Sequence, residues 1–99
     1  MRRAPDRQRA LVPRARYDTS PPELARLGAA LKALREARDL KQIEAASRAE
    51  MTESQVSDIE RGKNNPGWLL VMRLLNAGLD ASLHDLAAAY EKVDKHERH

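Results

Sequence analysis

The sequence predicts an all-α fold, a compact domain of five helices, and three observations carry that prediction. Sixteen Ala and thirteen Leu stand against only eight β-branched residues, a balance that favours helices over strands. Apolar residues recur at spacings of three and four, the period of a helix face. Capping residues and polar breaks divide the chain into short segments. At 99 residues there is room for one small domain. With no cysteine in the chain, that domain must hold together by packing alone.

Helix one is expected to begin in Ser20-Pro21-Pro22-Glu23, with Ser20 as N-cap, Pro21 at the first helical position and Glu23 completing a capping box. It runs to about Arg38 and stacks Leu24, Leu27, Leu31 and Leu34 on one core face. Helix two is placed at 42–49, with Ile43, Ala46 and Ala49 along its buried side. Thr52 is the N-cap candidate of helix three, whose Val56 and Ile59 point inward and whose end falls at Gly62, a residue free to take positive φ. Lys63-Asn64-Asn65-Pro66 follows as a polar loop. Helix four, about 67–77, is apolar nearly all round, which calls for cover on more than one side; Trp68 reads as core. Gly78 closes it. Ser82 and Asp85 form a capping box for helix five, where Leu83, Leu86, Tyr90 and Val93 keep the period. The domain therefore spans 20–93, with a charged tail over 94–99.

Charge is unevenly placed. Residues 1–19 are rich in Arg, Ala and Pro and lack apolar periodicity, so they read as a flexible basic arm. Residues 1–20 hold six arginines against two acids, a net +4, whereas residues 21–99 hold twelve bases against thirteen acids, a net −1. Attraction to nucleic acid through bulk charge thus rests on the arm. No stretch approaches the roughly 18 apolar residues a bilayer span needs, and no signal-peptide run is present, so a cytoplasmic chain without membrane contact is expected. The three histidines, at 84, 96 and 99, come too late in the chain to build a triad or a metal site, and no glycine-rich phosphate loop appears. Neither an enzyme nor a metal or other cofactor is expected.

Two short helices joined by a tight turn and packed on a third can present the second of them to a major groove. The residues Leu34-Arg35-Glu36-Ala37-Arg38, Gln42, Ala46 and Ile59-Glu60-Arg61-Gly62-Lys63 with Asn65-Pro66 carry a closer likeness. Over about residues 24–90 the chain resembles the Cro and lambda-repressor superfamily of Xre-type helix-turn-helix regulators. The resemblance implies a five-helix domain that binds operator DNA as a homodimer and regulates transcription, as repressors do. It further implies that Gln42, Lys63 and Asn64 grip phosphates of double-stranded DNA, and that Glu53, Ser54, Ser57 and Asp58 on helix three read bases. Arg35 and Glu60 match a scaffold ion pair joining helix one to helix three. Each role has a plainer competitor: a polar residue opening a helix, a solvated helix face, an exposed loop.

Two departures qualify the resemblance. Relatives carry glycine in the turn after helix two where this chain has Glu50, and a left-handed glutamate costs about 1 kcal/mol. Between Asp39 and Pro66 four bases face six acids, a net −2. A carboxylate can accept from cytosine N4 but adds no general attraction to DNA, so the arm is expected to supply it from a minor groove or the flanking backbone. The competing function is a protein-interaction module on the same scaffold, an antitoxin-like protein binding a protein partner, which an acidic face would suit. Gln42 and Lys63-Asn64 favour DNA.

Overall fold

A computed structural model describes the backbone of residues 21–97 and the side chains of residues 21–93. The expected arm over 1–19, the Ser20 cap and the last two residues of the tail lie outside the described residues. Five helices follow in order: α1 (Pro22–Ala37), α2 (Gln42–Ala49), α3 (Glu53–Glu60), α4 (Gly67–Arg73) and α5 (Leu83–Glu97), with α4 continuing through a π-helical turn at Leu74–Gly78. The described chain is all-α and contains no strand. Helix one starts a residue later than expected, with Pro21 as N-cap and Pro22 at the first helical position. The last helix reaches Glu97 instead of ending near Val93.

Leucine periodicity in α1 and the clustered Leu74, Leu75 and Leu79 build the core. Leu31, Val56, Leu74, Leu75 and Leu79 are its largest fully buried side chains. The π-helical turn, closed by Leu79 N–H on Leu74 O at 2.9 Å, accommodates one extra residue and so lets adjacent Leu74 and Leu75 both face inward. Helix α1 lies against α3 and α5, while α2 lies against α3 and the π-helical turn. Where α2 meets that turn Gly78 allows a close approach, since a Cβ there would sit 3.0 Å from Ala45 O and a neighbour would have to shift. Arg26 pins α1 to α5, donating from Nε to Tyr90 O at 2.9 Å with its guanidinium 3.8 Å above the Tyr90 ring.

Three expectations about burial are corrected. Helix α2 buries Ala45, Ala46 and Ala49 and leaves Ile43 55% exposed, because close approach to the π-helical turn selects its smallest side chains. Trp68 is 61% exposed and Leu69 78%, so Trp68 is not core. The described chain covers α4 on one side only, through Val71 and the leucines that follow. Leu83 is half exposed at the start of α5, where Leu86 and Ala89 carry the burial.

The turns share one device. Leu40 N–H bonds Arg35 O, Met51 N–H bonds Ala46 O and Lys63 N–H bonds Asp58 O, each a six-residue closure around a left-handed residue. Those residues are Asp39 (φ 57°), Glu50 (φ 59°) and Gly62 (φ 71°). Among the described residues no helix is long and apolar enough to cross a membrane.

Candidate nucleic-acid interface

Helix α3 is eight residues long, too short to persist alone, and its position depends on what holds it. Thr52 caps its start: Oγ1 accepts from Gln55 N–H at 3.0 Å, and Gln55 Oε1 accepts from Thr52 N–H at 2.8 Å. Gly62 closes its end, and only glycine fits there, since a Cβ would fall 2.7 Å from the backbone of Ala25. Val56 and Ile59 face the core. Gly28 of α1 packs directly on the last turn of α3, where a Cβ would overlap the carbonyl oxygens of Ile59 and Glu60.

A buried polar hub locks this arrangement. Arg35 and Glu60 are 9% and 8% exposed, and the guanidinium meets the carboxylate two-pronged, Nε on Oε2 at 2.7 Å and Nη2 on Oε1 at 3.1 Å. Hydrogen bonding to Glu60 raises the pKa of Arg35 above its ordinary value, outweighing the opposing effect of burial. Arg35 Nη1 donates to Leu40 O at 2.7 Å, and Gln42 Nε2 donates to Glu60 Oε1 at 2.9 Å. One carboxylate therefore joins α1, the start of α2 and the end of α3. Such a planar, two-pronged pair offsets part of the large desolvation penalty that either charge would carry alone.

The outer surface of α3 presents Glu53 and Ser54 exposed, with Ser57 and Asp58 partly so. Asp58 is already engaged: Oδ1 accepts from Arg61 Nη2 at 2.9 Å and Oδ2 from Asn64 Nδ2 at 3.3 Å. Lys63 is exposed beside them. The structure thus gathers Asp58, Lys63 and Asn64 at the end of α3 and sets Gln42 in the hub, half-buried, at the opening of α2. Two contributors were not singled out by sequence. Arg61 stands three residues after Asp58, a spacing that brings charges together on a helix, and it neutralises part of the acidic excess. Gln55 completes the Thr52 cap, a role written in the Thr-x-x-Gln spacing.

A cleft of about 590 Å³ lies between α1 and α5, apart from these residues; Ala29, Ala33, Ala37, Ala88 and Ala89 form much of its wall.

Comparison with known proteins comes down on the same side as this geometry. The sequence matches the family described as a helix-turn-helix domain over residues 26–89. A search of curated protein sequences finds no match. Among solved structures the chain is similar to the clp gene regulator ClgR from Corynebacterium glutamicum, with 26% identity and a TM-score of 0.67 over 73% of this chain and 92% of that one. It is also similar to the restriction-modification controller protein C.AhdI from Aeromonas hydrophila, with 29% identity and a TM-score of 0.62 over 67% of this chain and 98% of that one. An outward α3 seated on α1 and α2, a sequence match across most of the described residues and two regulators of the same shape lead to one assignment: the chain belongs to the helix-turn-helix domain family, as a DNA-binding regulator of the Cro and lambda-repressor type.

Proposed function

We propose that this protein is a sequence-specific, repressor-like transcriptional regulator that binds operator DNA in the cytoplasm as a homodimer, with α3 in the major groove. The observation that carries this reading is the polar outer face of α3, held on a rigid three-helix hub. Glu53, Ser54 and Ser57 are the side chains free to meet base edges, and a carboxylate among them suits cytosine N4. Asp58 either exchanges Arg61 and Asn64 for a base or holds both toward the backbone. Lys63, Asn64 and Gln42 fix register through phosphates. Arginines in residues 1–19 supply the long-range attraction that the acidic reading head lacks.

One recognition helix contacts too few base pairs for useful specificity, whereas a two-fold pair reads half-sites about 34 Å apart. Exposed Trp68, Leu69 and Leu83 support an additional apolar contact between subunits. Selection from random duplex DNA at two salt concentrations, with Ser54→Ala and Asp58→Ala alongside, tests the whole reading. A recovered palindrome whose preferred bases change in those variants is expected. Uniformly weak binding without preference overturns it in favour of a protein-binding role.

A further inference from the structure

Both oxygens of the Glu60 carboxylate are engaged. Oε2 accepts from Arg35 Nε, and Oε1 accepts from both Arg35 Nη2 and Gln42 Nε2. A carboxylate paired with guanidinium is ionised and can only accept, which settles how the Gln42 carboxamide is turned: its NH₂ group faces Glu60 and its carbonyl oxygen faces away. That nitrogen carries two hydrogens. One is committed to Glu60, and no described residue accepts the other.

We propose that Glu60 is a positioning residue for DNA binding as well as a scaffold residue: it holds the Gln42 amide with its second N–H available to a backbone phosphate. Seating of α3 and grip on the DNA backbone are then one linked unit, since the acceptor that orients Gln42 is the same carboxylate that ties α3 to α1. The inference rests on the DNA-binding reading above. Because the amide is neutral, this hydrogen bond fixes geometry without releasing a counterion, so it leaves the salt dependence of binding unchanged.

Two measurements on the full chain test it. In amide proton–nitrogen spectra of the free protein, the two side-chain protons of Gln42 should resonate far apart, and on adding a duplex recovered by selection the one not bonded to Glu60 should move. Methylphosphonates walked singly along that duplex should reveal one linkage per half-site whose neutralisation weakens binding by about five- to tenfold, the worth of one such hydrogen bond. The same linkage should have no effect in Gln42→Met. It should also have none in the paired variant Arg35→Met/Glu60→Leu, in which apolar groups of similar volume replace the ion pair. A paired variant that shows a cooperative unfolding transition and keeps the full methylphosphonate penalty overturns the proposal, because Gln42 then needs no Glu60. Should the paired variant not fold, the wild-type spectra still decide: binding that leaves both Gln42 protons unmoved overturns it. A wild-type protein that selects no duplex defeats the DNA reading and takes this inference with it, whereas failure of the inference alone shows as a selected duplex that binds and leaves both Gln42 protons unmoved.

Discussion

At the scale of single residues, the Arg35–Glu60 pair decides how α3 sits. Removing one partner leaves the other charge buried without compensation, so Glu60→Ala should lower stability by about 3–5 kcal/mol in urea unfolding. A loss under about 1 kcal/mol would mean the pair behaves like an exposed one. Its two members lie 25 positions apart, and no local pattern links them; only the resemblance made the pairing legible. That Gln42 joins the same carboxylate was beyond sequence, because it depends on where three helices meet. Asp85 shows the opposite case, a local motif readable in full. The backbone N–H of Ser82 (2.9 Å), then its hydroxyl, and more weakly Arg38 hold the Asp85 carboxyl below the usual carboxylate range. A depressed carboxylate stabilises the fold above its unfolded pKa of about 3.9, and that contribution is lost as pH falls through the lower folded value. Asp85→Asn should therefore remove part of the stability loss seen below about pH 4. An acid limb of the same slope in the variant would show that the α5 cap contributes nothing to it.

At the scale of elements, short helices are stabilised by their caps and neighbours more than by propensity. The start of α3 was legible from Thr52 as an N-cap, and that of α5 from Ser82 lying three residues before Asp85, which completes its box. The ends were less so. Gly62 announces its left-handed turn, whereas Asp39 reaches the same conformation with no glycine to signal it. Glu50 is the most costly of these, and Glu50→Gly should raise stability by about 1 kcal/mol, read as a higher urea midpoint with unchanged slope. A lower midpoint would mean that the glutamate side chain makes compensating interactions. Ile43 and Trp68 defeated periodicity for physical reasons. In an alanine-rich helix the buried face is chosen by how close the neighbour comes, and an apolar helix does not reveal whether its cover comes from its own chain.

At the scale of the molecule, charge and surface divide the work. The segment from Asp39 to Pro66 carries a net −2, and the proposed function assigns the general attraction to phosphates to the six arginines of residues 1–19. Deleting 1–19 should weaken duplex binding and flatten its dependence on salt, by about 0.9 in the logarithmic slope for each phosphate that the arm no longer neutralises. An unchanged slope would place that attraction in Lys63 and its neighbours instead. The most direct test of the central claim, that α3 is the DNA-reading surface, is chemical-shift mapping of the full chain as a selected duplex is added. The largest changes should fall on Gln42, Glu53, Ser54, Ser57 and Lys63, with the α1–α5 cleft silent. Changes centred on α4 and α5, with α3 unmoved, would contradict that claim.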